Sequence, residues 1–256
     1  MYGAYADRLC NIHVVSHSTL TTKFKDRIMQ YFGGKARIAK DIVKVLNEYR
    51  KPNQTFIEPF CGGINITCLM GDNVIANDKN RELIEMYKAI QNGWTPPENV
   101  SEDDYEKAKT IDDAKIKAFI AIGCSYSGKW FGGYARGQKG RNYAKNAKNS
   151  LAKKFKTLGN VKFISKSYNE IECKNALIYC DPPYNNTTKY KFGSFNSNSF
   201  WQWCRDMSKK GNTVIISEYN APDDFNCIWS KETKTDIRTK ANGKESRTEK
   251  LFMYCG

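Results

Sequence analysis

Histidine is scarce in this sequence, and long apolar runs are absent from it. The 256 residues include only two histidines, His13 and His17, and none of the nine cysteines belongs to a C-x-x-C pair. A zinc site is therefore not expected, and no Ser-His-Asp or Cys-His catalytic arrangement is supported. No apolar run approaches the roughly 20 residues of a membrane span, so we expect no membrane association. We expect the cysteines to be reduced thiols of a cytoplasmic protein.

Acidic residues are in the minority. The chain has 27 Asp and Glu against 41 Lys and Arg, which gives a formal net charge of +14. Such an excess favours a polyanionic partner, and nucleic acid is the commonest one. Hydrophobic residues make up 40% and aromatic residues 13% of the chain, so a disordered protein is excluded. The length suits one large domain, or one domain with a sizeable insertion.

Predicted strands and helices alternate in the first part of the chain. Apolar residues at helical spacing predict a helix over Ala36–Tyr49, and Phe56-Ile57 predicts a strand that ends in a glycine loop. A helix over Asn65–Met70, a strand at Val74–Ala76 and a helix over Glu82–Ile90 follow. Strand and helix in alternation indicate a parallel sheet with helices on its faces.

The same alternation returns near residue 161. Strands are predicted at Val161–Ile164, Ala176–Cys180 and Thr213–Ser217, with a helix over Phe200–Ser208. The segment Thr235–Met253 predicts a hairpin with polar arms around Asn242-Gly243. We therefore expect an α/β fold: a doubly wound, Rossmann-like sheet with a smaller inserted subdomain. The expected division is an N-terminal extension over 1–23, the main domain over 24–93 and 157–256, and an insertion over 94–156.

The insertion is strongly basic. The span Lys129–Lys156 contains nine Lys or Arg residues, no Asp or Glu, and several interleaved aromatic residues. Cations neutralise phosphates, and aromatic rings fill gaps in a base stack, so this span predicts a DNA interface. An acidic stretch and a helix over Lys115–Ile122 precede it. The residues expected to contact DNA are Tyr126, Lys129, Trp130, Tyr134, Arg136, Lys139, Arg141, Lys145 and Lys148.

The most informative motif is Asp181-Pro182-Pro183-Tyr184, at the end of an apolar strand. Ligands of open α/β sheets bind beyond the carboxyl ends of the strands. Two prolines hold the backbone extended and donate no N–H, so the Asp181 carboxylate and the Pro182 carbonyl form two neighbouring acceptors. That pair suits an amine with two hydrogens, such as the exocyclic amine of a base. Tyr184 offers a ring on which a base can stack.

The glycine loop predicts a nucleoside-containing ligand. Asp78 follows the second strand, sixteen residues after Gly62, where a carboxylate typically binds ribose hydroxyls. The dinucleotide fingerprint G-x-G-x-x-G is absent, which disfavours NAD. S-Adenosyl-L-methionine has ribose and adenine but no pyrophosphate, so it fits this pattern.

These motifs, in this order, resemble those of the Dam-type DNA adenine N6-methyltransferases of bacteria and phages. The matching stretches are Tyr31-Phe32-Gly33-Gly34-Lys35, Phe56 to Gly63, Ala76-Asn77-Asp78 and Ile178 to Tyr184, and they extend the resemblance over nearly all of residues 30–254. One departure is Ile64, because the family usually has G-x-G in its glycine loop. The resemblance implies these cofactor contacts: Tyr31, Gly33, Gly34, Lys35, Glu58, Phe60, Gly62, Gly63, Asp78 and Asp181.

The resemblance also implies the reaction, which is methylation of the adenine N6 amine in double-stranded DNA after base flipping. It implies no metal, a monomer, and a place in DNA adenine methylation, with or without a cognate restriction nuclease. Alternatives are the cytosine exocyclic amine, which offers the same pair of hydrogens, an amine in RNA, or a protein amide. A DNA-binding module that has lost catalysis is a further alternative, against which the intact Lys35, Asp78 and Asp181 argue.

Overall fold

The computed structural model describes residues 31–136, 140–183, 195–238 and 244–256, and for 234–238 and 244–245 it describes the backbone alone. Four sequence predictions lie outside this part of the chain. They are the extension over 1–23, the base-stacking residue Tyr184, the DNA contact Lys139, and the hairpin tip Asn242-Gly243.

The described residues form a mixed α/β fold around a seven-stranded sheet. The order across the sheet is β3-β2-β1-β4-β5-β7-β6, in which β1 to β5 are parallel and β7 is antiparallel to both neighbours. The expected doubly wound sheet is therefore confirmed. The strands are β1 Phe56–Glu58, β2 Val74–Asn77, β3 Val161–Ile164, β4 Leu177–Cys180, β5 Thr213–Glu218, β6 Phe225–Arg238 and β7 Lys244–Tyr254.

Both faces of the sheet are buried, because successive side chains of a strand point to opposite faces. One core contains the strand residues Phe56, Val74, Ala76, Leu177, Tyr179, Ile215 and Leu251. The other contains Ile57, Ile178, Cys180, Val214, Ile216 and Phe252. Strands that are covered on both faces need continuous apolar runs, which explains why β4 and β5 were predicted almost to the residue.

Six α-helices cover the sheet in the described part of the chain. Five of them begin after a residue whose side chain accepts a hydrogen bond from a free N–H of the first turn, namely Asn80, Ser101, Asp113, Asn142 and Asn196. None is long and apolar enough to cross a membrane. The helices are α1 Ala39–Tyr49, α2 Arg81–Gln91, α3 Glu102–Lys107, α4 Ala114–Gly123, α5 Tyr143–Thr157 and α6 Ser197–Lys209.

The predicted helix over Asn65–Met70 is wrong in extent, since only a short 3₁₀ turn forms, over Thr67–Leu69. The residue before Asn65, Ile64, has a φ of 48°, in the left-handed region that an α-helix cannot continue through. The Glu58 carboxylate also accepts hydrogen bonds from the N–H and hydroxyl of Thr67. This segment is thus a loop tied to the end of β1.

The hairpin is longer than the sequence predicted. It begins at Phe225, ten residues before the expected start at Thr235, and its β6 arm is the outer edge of the sheet. Phe225 is buried, whereas the residues from Asn226 to Thr233 are exposed or half-exposed. Only Ile228 and Trp229 of this stretch pack partly against the core, so its sequence lacks the alternation by which strands are recognised.

The segment 94–156 packs onto the main core. Tyr105 of α3, Phe119 of α4 and Leu151 of α5 are fully buried in the same cluster as the strand residues of the first face. Helix α5 was not predicted from the sequence, where its lysines were interpreted as part of a basic, DNA-contacting insertion. The insertion boundaries at 94 and 156 stay a prediction.

Asn77, the last residue of β2, joins three segments at the carboxyl edge of the sheet. Its side-chain amide donates to the carbonyls of Pro59, at 2.8 Å, and Lys166, at 3.0 Å. Its side-chain oxygen, Oδ1, accepts from the Lys166 N–H at 2.9 Å. All three bonds are made by a side chain with no solvent exposure, so they fix the loops after β1 and β3 relative to each other.

Replacing Asn77 tests this arrangement. Asn77→Ala removes all three bonds and leaves buried backbone groups unpaired, which should lower the free energy of unfolding by about 2–4 kcal/mol. Urea denaturation measures the change. The control is Asn47→Ala, at an exposed position of α1, which should be nearly neutral. Equal stability of the two variants would show that the three bonds do not hold the loops.

Candidate active site

The order of the strands reverses between β1 and β4. From β1 the chain moves outward through β2 to β3, then returns to place β4 on the other side of β1 and continues to β5. The loops after β1 and β4 therefore leave in opposite directions, and a crevice opens at their carboxyl ends. Glu58 ends β1 and Asp181 follows β4, so both predicted site segments border this crevice.

The glycine loop after β1 packs against the N-terminal turn. A side-chain carbon on Gly62, whose φ is 42°, would lie 2.7 Å from Cε1 of Tyr31, and one on Gly63 would lie 2.8 Å from Cβ of Tyr31. Neither position could hold a larger residue without moving the Tyr31 ring. Gly34 is similarly close to the Asn65 amide, and Gly33, with a φ of 77°, lies in the turn that the Gly34 N–H closes onto the Tyr31 carbonyl. The predicted cofactor residues of both segments thus lie together.

Asp78 connects β2 to this loop. Its Oδ2 accepts from the Gly62 N–H at 3.0 Å, and its Oδ1 accepts from the Asn80 N–H at 2.8 Å. Burial raises the pKa of Asp78 to about 6, although both backbone bonds act to lower it. A carboxylate at neutral pH, with lone pairs remaining on both oxygens, therefore stands beside the glycine loop.

Glu58 occupies the buried end of β1. One of its oxygens accepts from both the Thr67 N–H, at 2.9 Å, and the Thr67 hydroxyl. Burial raises the pKa of Glu58 to about 8, with the nearby Asp181 charge adding to that effect. Glu58 is thus mostly protonated at neutral pH, and its described bonds tie the loop together.

Lys35 lies between two carboxylates. Its Nζ is 2.8 Å from Oδ1 of Asp181 and 3.7 Å from Oε2 of Glu249 on β7. Burial alone lowers the pKa of Lys35, but the two carboxylates outweigh burial and hold the pKa above its ordinary value. Lys35 is therefore a fixed positive charge beside Asp181. Glu249 was missed from the sequence, because nothing in a polar hairpin arm marks one carboxylate as turned inward.

An aromatic cluster borders the other side of the crevice. The Phe60 ring lies 5.5 Å from that of Tyr168, 6.1 Å from that of Phe195 and 5.8 Å from that of Phe200. The predicted cofactor residue Phe60 is thus packed within this aromatic cluster. Pro182 is buried and Pro183 half-buried directly after Asp181.

Lys154 was interpreted as one of nine basic surface residues, and the structure places it inside. Its Nζ donates to the Gly63 carbonyl and, at 2.8 Å, to Oδ1 of Asn65. Burial lowers the pKa of Lys154 to about 8. The helical spacing of Lys154 from buried Ala147 and Leu151 is a signal that could have identified it.

Several predicted DNA contacts form ion pairs on the surface. Lys145 and Lys148 lie 3.4 and 3.2 Å from the two oxygens of Glu98, and Arg136 pairs with Glu102. Acidic residues that precede the basic span thus offset part of its charge. Lys129 and Tyr126 are exposed, the latter by 71%.

Three other predicted DNA contacts pack against protein. The Tyr134 hydroxyl donates to the Val100 carbonyl at 2.8 Å, and the Trp130 ring meets that of Phe131 edge-on. The Arg141 guanidinium lies 4.1 Å from the centre of the Tyr143 ring. Within the described ranges, no group of His, Cys, Asp and Glu is arranged to hold a metal ion.

The high pKa of Glu58 predicts a pH-dependent stability. Its ordinary value is 4.5, so the folded protein keeps a proton up to about pH 8 that the unfolded chain has already released. Stability should therefore fall as pH rises from 5 to 8, by an amount on the order of 2–4 kcal/mol for this group. Urea denaturation of the wild type and of Glu58→Gln, which cannot ionise, measures the difference. Parallel pH dependences of the two would mean that Glu58 is ionised in the folded protein.

Chains of known structure with a similar backbone include the rRNA methyltransferase aviRa of Streptomyces viridochromogenes. It has 10% identity and a TM-score of 0.42, with 86% of this chain and 85% of that chain covered. PH1948 of Pyrococcus horikoshii, described as a candidate RNA methyltransferase, has 10% identity and a TM-score of 0.41 over 84% and 81%. Precorrin 8W decarboxylase of Methanobacterium thermoautotrophicum has 12% identity and a TM-score of 0.36 over 86% and 89%.

The sequence itself matches a family model. No curated protein sequence matches the chain significantly. The model of the D12 class N6 adenine-specific DNA methyltransferases matches residues 31–121 and 128–240, which include the N-terminal turn, the glycine loop and Asp181. The resemblance inferred from the sequence motifs is thereby confirmed: the chain belongs to the D12 class N6 adenine-specific DNA methyltransferase family.

Proposed function

We propose that this methyltransferase transfers a methyl group from S-adenosyl-L-methionine to the N6 amine of adenine in double-stranded DNA. The observation that carries the proposal is the placement of Asp181, with its lysine partner and the two following prolines, at the crevice beside the glycine loop. The base of a duplex cannot reach such a crevice while stacked, so the proposed reaction includes flipping of the target adenine.

The residues at the crevice fit the proposed cofactor. The Asp78 carboxylate can accept from ribose hydroxyls while it holds the Gly62 N–H. The turn of Gly62 and Gly63, close against Tyr31, leaves backbone rather than side chains at the surface of the loop. When bound, the cofactor supplies an electrophilic methyl group on a sulfonium. The proposed contacts remain those inferred from the sequence, with Lys35 acting through Asp181.

Asp181 has one oxygen available for the target amine. Lys35 engages Oδ1, and no other described residue forms a hydrogen bond to Oδ2. An amine hydrogen donated to Oδ2 and the other donated to the Pro182 carbonyl would turn the nitrogen lone pair away from the ring. Lys35 fixes the carboxylate in place, and since most of the orientation is built beforehand, proximity supplies much of the rate.

The segment 94–156 is proposed to contact the DNA. The exposed side chains of Tyr126, Lys129 and Lys145 and the half-buried side chain of Lys148 lie outside the packed core. Phosphates would compete with Glu98 for the two lysines of α5. We therefore propose that the ion pairs with Glu98 weaken DNA binding wherever no DNA phosphate takes the place of the Glu98 carboxylate beside Lys145 and Lys148.

Replacing Asp181 tests the proposed chemistry. Mass spectrometry of nucleosides from DNA incubated with the wild type should show N6-methyladenine. Asp181→Ala should lower the single-turnover rate by about two orders of magnitude or more, because a charged acceptor is lost in the transition state, while DNA affinity changes little. The matched control is Asp223→Ala, an exposed aspartate before β6, which should keep the wild-type rate.

The outcomes separate the alternatives. Methylcytosine as the sole product would move the target to the cytosine amine, and methylation of RNA alone would change the substrate class. A near wild-type rate for Asp181→Ala would contradict the mechanism.

Asp78 provides a test of cofactor binding. Asp78→Ala should weaken S-adenosyl-L-methionine binding by about tenfold, since a carboxylate acceptor for ribose is lost. Wild-type affinity should also fall below pH 6, because Asp78 becomes protonated there, and Asp78→Ala should lack that dependence. Calorimetry at pH 5, 6 and 7.5 measures both effects. Equal affinity of the variant and the wild type would remove Asp78 from the cofactor site.

A further inference from the structure

Helix α5 has a lysine in its buried stripe. The buried residues Ala144, Ala147, Leu151 and Lys154 recur at intervals of three and four, so Lys154 occupies a position where an apolar residue is expected. Its side chain is 9% exposed. A buried ammonium group is costly unless its hydrogens find acceptors, so the partners of Lys154 indicate why the charge is tolerated. Both of its hydrogen-bond acceptors, the Gly63 carbonyl and the Asn65 side chain, belong to the glycine loop.

The loop contains a strained residue at the point that Lys154 holds. Ile64 has a φ of 48° and is fully buried. A β-branched residue is strongly disfavoured in this region, so surrounding contacts must maintain the conformation. The Ile64 N–H donates to the Cys61 carbonyl at 2.7 Å. The Gly63 carbonyl belongs to the same peptide group, and the bond from Lys154 therefore fixes the orientation of that peptide from its other side.

Further contacts hold the loop in the same place. The Tyr87 hydroxyl of α2 donates to the Gly62 carbonyl at 2.6 Å. The hydroxyl of Thr157, at the end of α5, donates to the Cys68 carbonyl at 3.2 Å. Lys154 carries a charge, as Asp78 does at the Gly62 N–H, and charge-assisted bonds are the stronger ones. The titratable groups that face it are Cys68 and Glu58, and the latter is mostly neutral at pH 7.

We propose that Lys154 is a positioning residue for methyl transfer, which holds the Gly62-Gly63-Ile64 turn in the shape that receives the cofactor. It acts through the loop and contacts no reacting atom. This proposal rests on the proposed function, because it takes S-adenosyl-L-methionine as the ligand of the turn. It gives α5 two roles, since the same helix bears Lys145 and Lys148 at its surface.

The first test compares steady-state kinetics of two variants with equal net charge. Lys154→Met keeps the length and packing of the side chain and removes its donors. Its KM for S-adenosyl-L-methionine should rise about tenfold or more, with kcat within about threefold and the KM for DNA unchanged. Lys44→Met, at an exposed position of α1, should leave all three constants unchanged. A fall in kcat at constant KM would indicate a merely structural role and overturn the proposal.

The second test needs no cofactor. Amide hydrogen exchange in the peptide covering residues 59–70 should be about fivefold faster or more in Lys154→Met than in the wild type or Lys44→Met, because the loop opens more often. If Lys154→Met does not fold, Lys154→Leu, which also lacks a donor, takes its place in both tests. Unchanged exchange would overturn the proposal even if the KM for S-adenosyl-L-methionine rises. A wild type that transfers no methyl group would instead refute the proposed function, and the exchange measurement would still decide whether Lys154 holds the loop.

Discussion

The reversal of strand order between β1 and β4 is the constraint on which the site depends. Because the chain returns from β3 to lie beside β1, two loops far apart in sequence end at one crevice. The remaining parts reach the same edge: Lys35 before α1, Asp78 after β2 and Glu249 on β7. A parallel sheet forces these strand ends together, whereas the helices and the hairpin determine only how closely they approach.

The glycine loop after β1 forms hydrogen bonds with three other segments of the chain. Its Gly62 N–H is bound by Asp78, its Gly62 carbonyl by Tyr87 and its Gly63 carbonyl by Lys154. These partners come from the end of β2, from α2 and from α5. Gly62 and Gly63 have no side chains to pack, so these hydrogen bonds hold the shape of their turn. This dependence also explains how Ile64 can adopt a conformation that a glycine would adopt without cost.

Burial lowers the number of negative charges at the crevice, because it keeps one of the carboxyl groups protonated. Among the described residues, the carboxyl groups of Asp181 and Glu249 lie near the ammonium group of Lys35, and that of Glu58 lies near Lys154, while Asp78 is bound by backbone N–H groups. If all four carboxyl groups were ionised, the repulsion would be large at low dielectric. The raised pKa of Glu58 relieves it, since this residue is mostly neutral at pH 7. Lys35 then pairs with Asp181, and the carboxylates of Asp181 and Glu249 keep Lys35 protonated.

The sequence predicted the parts of the molecule that are specified locally and missed those specified by contacts across the fold. The strands β4 and β5 are mostly apolar runs, and β3 alternates apolar residues with the exposed Lys162. The helices predicted over Glu82–Ile90 and Lys115–Ile122 correspond to α2 and α4, so local patterns suffice for these elements. The segment Asn65–Met70 was predicted as a helix, whereas the left-handed φ of Ile64 just before it and the hydrogen bonds from Thr67 to Glu58 depend on contacts outside the segment. Glu249 and Lys154 were missed for a related reason. Each is a charged residue in a polar or basic stretch. It differs from its solvated neighbours only in its contact with Lys35 or with Gly63, which is more than 90 residues away in each case.

A charged side chain at a core position of a helix can still be identified by its spacing, as positions 144, 147, 151 and 154 of α5 show. An inward carboxylate on a polar edge hairpin leaves no such periodic trace, because the strand that carries it alternates polar residues with polar ones.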